Sequence, residues 1–475
     1  MGTRVWLGRA TVGRMRISLL SLGLVVACAR PAPTPSATPA EVSIPAHAIA
    51  AGVEAEPASE PVRHEELLLR HARLIDGTGA PPRADVDVLV RDGTIVDVGS
   101  GLVAPDGATL IDLEGRTLLP GLIDAHVHLG ASPPDSYAQG VVDDLRRNLG
   151  DRALHGARNA RRTLMAGFTT VRNVGGTMAD RALRDAIVQG LVPGPRMLVA
   201  NHAIGITGGH CDGTNAMHPD AWTQAQDYRH GVTDGPQEVR KAVRFQIKHG
   251  ADVIKLCATG GVMSQGDAVG APQLDPEELR TAVETAHRAE RKVAAHAHGN
   301  QGIREAVLAG VDSIEHGSIL DPETVGMMKE RGTFLVPTLY VAAAVEAQAD
   351  AGILSDESAH KARWIAPRMR QSFTLAYRSG VKIALGSDAG VFEHGDNGKE
   401  LTTMVELGME PMDAIVAGTS SAAELLGLSN VGRIEVGMLA DLVVADGDPL
   451  EDIHVLEEPA MVIKGGVIHR PPAWQ

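Results

Sequence analysis

The chain has 475 residues, of which 44% are hydrophobic and 22% charged, so it has ample apolar material for a buried core. Its 44 Lys and Arg against 59 Asp and Glu give a formal charge of −15, which argues against a nucleic-acid partner because phosphate binding needs a basic surface. Aromatic residues, at 3%, are too few for a base-stacking platform. The 53 glycines are typical of a fold with many tight turns between strands and helices.

The first 27 residues have the composition of a secretory signal peptide. Four arginines precede the apolar run at residues 17–27, and no acidic residue occurs before Cys28. The run is shorter than the roughly 20 residues that a membrane-spanning helix needs. Met15 is an alternative start that would leave a shorter leader of the same kind.

Residues 28–60 predict a lipid anchor followed by a flexible tether. Residues 25–28 (VVAC) resemble a bacterial lipobox, in which the cysteine is lipidated; an ordinary signal peptide with an incidental cysteine is the alternative. Residues 29–60 are rich in Pro, Ala and Ser, and they cannot bury enough apolar surface to offset the entropy lost on folding. We therefore expect an exported cell-envelope lipoprotein that contacts the membrane only through Cys28.

Short β-branched segments occur at both ends of the remaining chain. Six of them read as antiparallel strands: residues 67–75, 86–91, 94–98, 441–445, 461–464 and 467–469. Gly or Asp turns separate them. We expect the two ends, residues 61–118 and 432–475, to form one small β-sandwich domain.

The middle of the chain, residues 119–431, alternates short apolar strands with helical stretches. Eight strands are predicted there: residues 121–128, 168–173, 196–200, 253–257, 293–298, 313–316, 334–337 and 383–387. Residues 275–291 predict a helix with Asp275 as N-cap and Pro276 in the first position. This alternation predicts an α/β fold, a (β/α)8 TIM barrel.

Polar residues follow several of these strands, where a barrel of this kind places its functional groups. His126 and His128 are two residues apart at the end of the first strand, so they point to the same side and make half of a metal site, or else a polar strand end. Lys255 lies inside an apolar strand, where a lone ammonium is costly. Reaction with CO₂ would convert it into an anionic carbamate; a Schiff-base or snorkelling lysine is the alternative.

Three further strand ends carry potential ligands. His296 ends the fifth strand, and we interpret the nearby His298 as a supporting residue. His316 ends the sixth strand and Asp388 the eighth, where Asp388 alone would also suit an N-cap. Together the strand ends supply one candidate metal-binding set: His126, His128, Lys255, His296, His316 and Asp388.

Over residues 65–470 the chain resembles the amidohydrolase superfamily. The likeness rests on residues 117–128 (TLLPGLIDAHVH) and on the return segment 432–443 (GRIEVGMLADLV). A closer likeness is to the Xaa-Pro and Xaa-Arg/Lys dipeptidases, a group that includes ochratoxin-hydrolysing amidases. Three segments carry it: residues 207–210 (TGGH), 255–262 (KLCATGGV) and 313–317 (SIEHG).

This resemblance implies a site with two divalent metal ions, usually zinc, although manganese and cobalt remain open. His126 and His128 would hold the more buried ion together with Asp388. His296 and His316 would hold the other. A carboxylated Lys255, carrying a carbamate derived from CO₂, would bridge the two ions together with a hydroxide.

The resemblance further implies cleavage of an amide bond in a dipeptide or an N-acyl amino acid by the bridging hydroxide. Asp388 would accept the hydroxide's proton and deliver it to the departing amine. His210 and Tyr340 would hydrogen-bond the developing oxyanion or the substrate's carboxylate. For Tyr340 an ordinary packed aromatic is the alternative. Which C-terminal residue leaves, whether Pro, Arg/Lys or an aromatic, stays open.

Other functions fit the sequence less well. A mononuclear deaminase would need a Glu soon after His296, yet the first Glu is Glu305. Such a deaminase also has no need of Lys255. Both points count less strongly against an imidazolonepropionase. A lactonase or phosphotriesterase is harder to exclude because the same metal pair serves ester chemistry. A non-catalytic metal-binding lipoprotein is disfavoured by the complete ligand set.

The resemblance implies a homo-oligomer. Cys211 and Cys257 would be able to pair in an oxidising compartment, but three cysteines are too few for a disulfide framework, and we interpret Cys257 as a buried small apolar residue.

Overall fold

The computed structural model describes residues 62–221 and 226–474. The predicted leader (1–27), the lipidation site Cys28 and the predicted tether (29–60) lie outside the described residues, so those interpretations stay predictions. Within the described ranges, no helix combines the length and the apolar character that crossing a bilayer requires.

The described residues form strands and helices in alternation, between strand-rich ends. The strands are β1 Val62–Arg63, β2 Glu66–Leu74, β3 Arg83–Arg91, β4 Thr94–Gly99, β5 Thr109–Asp112, β6 Thr117–Pro120, β7 Leu122–Val127, β8 Phe168–Asn173, β9 Arg196–Val199, β10 Val253–Cys257, β11 Lys292–Ala297, β12 Ser313–His316, β13 Phe334–Val336, β14 Leu442–Ala445, β15 Met461–Lys464 and β16 Val467–Arg470. The helices are α1 Tyr137–Arg146, α2 Leu149–Met165, α3 Met178–Val188, α4 Pro236–Lys248, α5 Pro276–His287, α6 Asn300–Ala309, α7 Pro322–Arg331, α8 Leu339–Asp350, α9 Asp356–Ser379, α10 Lys399–Glu406, α11 Pro411–Ala417 and α12 Ser420–Leu426.

The predicted cap of α5 is confirmed. The Asp275 side chain accepts hydrogen bonds from the backbone N–H groups of Glu277 and Glu278, and Pro276 occupies the first position. The helix ends at His287, earlier than predicted, because the chain turns at Glu290, where φ is 56°, before it enters β11.

Strands from both ends of the described chain pair in one sheet, in the order β1-β16-β15-β14-β6-β2-β3-β4, with β5 beside β2. β6 and β14 join the two ends, with Leu119 opposite Val443. Buried apolar residues, including Leu67, Leu69 and Val444, give this sheet a core of its own. The pairing of the two ends is as expected, but the hydrogen-bonded ladder is continuous, so the division into the two layers of a sandwich is not confirmed.

The central strands form two all-parallel sheets, β7-β8-β9 and β10-β11-β12-β13. Isolated parallel bridges connect them: Ile204 with Leu256, Leu335 with Ile383, and Val127 with Ala389. The eight predicted strand segments therefore follow one another in a cyclic order. The ladders themselves do not close into one barrel sheet.

The eighth predicted strand, residues 383–387, forms one isolated bridge, at Ile383, instead of a continuous ladder. The Ser387 N–H donates to Asp124 Oδ1 at 3.0 Å, and the Ser387 hydroxyl donates to Asp124 Oδ2 at 2.5 Å. Asp388 then adopts a left-handed φ of 65°. At the end of this segment a side-chain carboxylate thus replaces the backbone acceptor of a neighbouring strand. The apolar sequence pattern does not reveal this replacement.

A buried ion pair joins three of the central strands. Arg172 of β8 donates to both Glu315 oxygens, at 2.8 and 3.0 Å, and the two side chains are 2% and 0% exposed. Arg172 also donates to the Ala125 carbonyl of β7 at 2.6 Å. Burial opposes ionisation of Glu315, but the guanidinium and His126 outweigh it and hold the pKa of that carboxyl well below its usual range.

Replacing Arg172 by Met would leave the Glu315 carboxylate buried without its partner. We expect the free energy of unfolding in urea to fall by about 3–5 kcal/mol. Arg91→Met is the matched control, because Arg91 pairs with Glu66 at the surface, and it should cost less than about 1 kcal/mol. Equal losses in the two variants would contradict this role for the buried pair.

Candidate active site

The predicted ligands of the first strand meet Asp388. The Nε2 atoms of His126 and His128 lie 3.5 and 3.1 Å from Asp388 Oδ1. Their Nδ1 atoms face acceptors on the other side, Glu315 Oε2 at 2.7 Å and the Gly175 carbonyl oxygen at 2.8 Å. Because each Nδ1 faces an acceptor, Nε2 is the ring atom that each histidine presents towards Asp388, as a metal-binding imidazole does.

Asp124 positions Asp388. The Asp388 N–H donates to the His126 carbonyl oxygen at 2.8 Å. The fully buried Asp124 carboxylate accepts hydrogen bonds from the N–H groups of His126 and Ser387 and from Asn397 Nδ2. Burial raises the pKa of Asp124 to about 6. These contacts tie the end of β7 to the segment that carries Asp388.

A second group of histidines lies beside the first. The rings of His296 and His316 are 4.7 Å apart, and the ring of His316 is 5.0 Å from that of His126. Thr338 Oγ1 contacts His316 Nδ1 at 2.7 Å. The buried Nε2 of His296 has no hydrogen-bond partner among the described residues, which suits an atom that binds a ligand.

Lys255 lies in the same cavity as these histidines. It occupies β10 opposite Ala294 of β11, is 4% exposed, and lines one cavity together with the five other predicted ligands. Burial lowers the pKa of the Lys255 amine to about 8. The structure therefore brings together all six residues of the predicted metal-binding set.

The donor set fits divalent metal ions. One ligand atom from each of His126, His128 and Asp388 lies within 4.8 Å of the other two. Burial lowers the pKa of His126 to about 4, so its imidazole is neutral near pH 7, as metal binding requires. Mixed nitrogen and oxygen donors are those that zinc and similar ions accept.

The cavity has a volume of about 350 Å³. Its lining includes the predicted ligands. It also includes apolar residues of α8 and α9, among them Val341, Val345, Ile365 and Met369.

The structure places the two other predicted catalytic residues differently. The ring of His210 lines the cavity and stacks on His296 at 4.1 Å. Tyr340 is not among the described residues that line the cavity; its ring packs on Phe392 at 4.8 Å, and its hydroxyl is 3.4 Å from Lys399 Nζ. The role assigned to Tyr340 stays a prediction.

Four residues that hold the site in place were not predicted from the sequence: Asp124, Arg172, Glu315 and Glu400. Asp124 and Glu315 stand beside ligands in the motifs already noted, and an acid inside an apolar strand was a usable signal. Glu400 gave no such signal. Its buried carboxylate accepts from the Leu339 and Tyr340 N–H groups at 2.8 and 2.7 Å and so holds the start of α8.

Cys211 and Cys257 form a disulfide with Cα atoms 6.0 Å apart. The sequence left this pairing open and favoured an unpaired Cys257. Cys257 is buried, as expected, but its sulfur is bonded to the residue that follows His210. The disulfide therefore joins the loop that carries His210 to the end of the strand that carries Lys255.

Comparison with known proteins identifies the family. A sequence model of the Amidohydrolase family matches residues 117–468. The chain belongs to this family. Ochratoxinase from Aspergillus niger is 34% identical over 421 residues, which cover 84% of this chain and 85% of that protein.

Solved structures agree with that assignment. A Xaa-Pro dipeptidase with methionine bound in its active site is 39% identical, with a TM-score of 0.82 over 86% of this chain and 100% of that one. A prolidase complexed with N-methylphosphonate-L-proline is 32% identical, with a TM-score of 0.78 over 85% and 99% of the two chains. The amidohydrolase therefore belongs to a dipeptidase-like group, has a fold of the TIM-barrel type and is a hydrolase of amide C–N bonds.

Removing one histidine from each group should lower metal binding. We expect His126→Ala and His296→Ala each to reduce the divalent metal retained after dialysis from about two ions per chain to about one or fewer, measured by elemental analysis. His202→Ala is the control, because His202 lines the same cavity outside the predicted set. Unchanged metal content in His126→Ala would contradict the ligand assignment.

Proposed function

We propose that this amidohydrolase hydrolyses the amide bond of dipeptides or N-acyl amino acids at a centre with two divalent metal ions. The observation that carries the proposal is the convergence of four strand-end histidines, Lys255 and Asp388 on one cavity. The dipeptidase and prolidase among the similar structures support the same chemistry.

In this proposal His126, His128 and Asp388 would hold one ion, and His296 and His316 would hold the other. Lys255, as a carbamate, would supply an anionic oxygen ligand, and zinc is the proposed metal. When bound, the ions would supply a water that is nucleophilic at neutral pH and would polarise the scissile carbonyl. The burial of Lys255 supports the carbamate, because a buried anion beside cations is less costly than an unpaired buried ammonium.

Asp388 carries the proton transfers. Its Oδ1 lies next to both histidines of the first group, and Asp124 and the His126 backbone hold it in place. The carboxylate takes a proton from the attacking water and returns it to the amine that leaves. His210, which faces the cavity, hydrogen-bonds the substrate.

The cavity favours an apolar substrate residue. Side chains of α8 and α9 give it an apolar wall, and Asp388, itself a proposed ligand, is the one carboxylate among the described residues that line it. An Arg or Lys side chain would therefore lose its hydration without finding a free partner. Proline and aromatic residues fit this wall better.

The cellular location is also a proposal. The predicted signal and Cys28 support export and lipid anchoring. The disulfide between Cys211 and Cys257 supports an oxidising compartment, where such bonds persist. A homo-oligomer stays a prediction from the family resemblance.

The direct test is a substrate screen with the full chain, loaded with zinc and bicarbonate. Dipeptides and N-acyl amino acids that vary at the C-terminal residue are compared by the release of free amino acid. We expect release of proline or aromatic residues, and at least about tenfold slower release of Arg and Lys, a difference of about 1.4 kcal/mol in transition-state binding. No release from a chain that holds two metal ions would contradict the proposal and favour lactone or phosphoester substrates.

Asp388→Asn separates catalysis from metal binding. We expect kcat to fall by about 10²–10⁴-fold, because the proton acceptor is lost, while most of the metal is retained. Asp446→Asn is a matched control, since Asp446 pairs with Arg116 at the surface and should leave kcat unchanged. Full activity of Asp388→Asn would end the proton-transfer assignment.

A further inference from the structure

A chain of buried and half-buried polar groups leads from α9 to His210. We call Lys361, Asp267, Ser264 and His210 the His210 relay. Lys361 Nζ donates to Asp267 Oδ1 at 2.9 Å, the Ser264 hydroxyl lies 2.7 Å from the same oxygen, and His210 Nδ1 lies 2.8 Å from Ser264 Oγ. The Lys361 and Asp267 side chains are only 9% and 7% exposed.

Asp267 acts only as an acceptor in this arrangement. Besides Lys361 and Ser264, its other oxygen accepts from Gln273 Nε2 at 3.1 Å and from the Gly261 N–H at 3.2 Å. A carboxyl group surrounded by four donors, one of them a cation, is ionised and has no proton to give. The proton between Ser264 and Asp267 therefore belongs to the serine.

Because Asp267 has only donors around it, the direction of the hydrogen bond between Ser264 and His210 is fixed. The serine hydroxyl has one proton, which goes to Asp267, so Ser264 Oγ accepts the hydrogen bond from His210. The alternative acceptor for that hydroxyl, the Gly261 carbonyl oxygen, is farther away at 3.4 Å. Nδ1 of His210 therefore carries a proton, and Nε2 is the ring atom left for the cavity.

Packing holds the ring in the same position. One face of the His210 ring stacks on His296. Gly261 packs against the ring so closely that a Cβ at that position would lie 2.3 Å from the His210 Cε1 and Nδ1 atoms. Nε2 makes no hydrogen bond with any described residue, so it is free to meet a substrate.

We propose that Lys361, Asp267 and Ser264 are positioning residues for the amidohydrolase reaction. They keep the proton of His210 on Nδ1 and stop the ring from flipping, so that Nε2 faces the substrate. The inference rests on the proposed function for the role of His210, but the relay itself has a readout that needs no substrate.

The kinetic test is a double-mutant cycle on the metal-loaded full chain. We expect Ser264→Ala and Asp267→Asn to lower kcat/KM by about 10–100-fold, and Ser264→Thr, which keeps the hydroxyl, to restore most of it. In a His210→Ala background, Ser264→Ala should change kcat/KM by less than about twofold. An equal loss in both backgrounds would overturn the proposal, because Ser264 would then act by another route.

Gln265→Ala is the matched control. Gln265 belongs to the same loop, but it hydrogen-bonds Ser355 and Ser358 and stands outside the relay. We expect its kcat/KM to stay within about twofold of the wild type. A loss as large as that of Ser264→Ala would assign the effect to loop integrity and overturn the relay.

The second readout is ¹⁵N NMR of the zinc-loaded, histidine-labelled chain, with His210 assigned by comparison with His210→Ala. We expect a protonated Nδ1 in the wild type and a mixture of ring tautomers in Ser264→Ala. An unprotonated Nδ1 in the wild type would overturn the relay. A protonated Nδ1 that depends on Ser264, in a chain that hydrolyses no amide, would support the relay and contradict only the proposed function.

Discussion

The arrangement of the site depends on one buried carboxylate, that of Glu315. It accepts from the Arg172 guanidinium and from His126 Nδ1, and Arg172 in turn holds the backbone of β7. One ion pair therefore sets the position of two strands and the tautomer of a proposed metal ligand. The desolvation of both charges is costly, so the pair is better explained by the orientation that it enforces than by net stability.

The same principle recurs around the cavity. Asp124 ties β7 to the segment before Asp388, Glu400 holds the start of α8 beside Thr338, and Asp267 directs Ser264 towards His210. Each acid is buried or nearly so, and each accepts hydrogen bonds from groups that lie close to the proposed metal ligands or to His210. Rigid partners of this kind hold functional side chains within the small tolerances that catalysis needs.

Much of this was predictable from the sequence because ligands at parallel strand ends must meet at one edge. The two-residue spacing of His126 and His128 predicted that both imidazoles point to one side of a strand. The apolar neighbours of Lys255 predicted that its amine is buried. The features that the sequence did not predict depend on side-chain contacts between segments that are distant in the sequence. The irregular end of segment 383–387 reflects Asp124, which lies more than 250 residues away in the sequence, and the disulfide needs the loop of Cys211 to meet the end of β10. The single sheet at the chain ends depends on pairings that periodicity does not encode.

The most direct test of the two-metal site is anomalous X-ray diffraction from crystals of the zinc-loaded full chain, recorded at the zinc edge. We predict two anomalous peaks in the cavity, one beside His126, His128 and Asp388 and one beside His296 and His316, with electron density for a carbamate on Lys255 between them. A single peak, or peaks that leave His296 and His316 without metal, would contradict it.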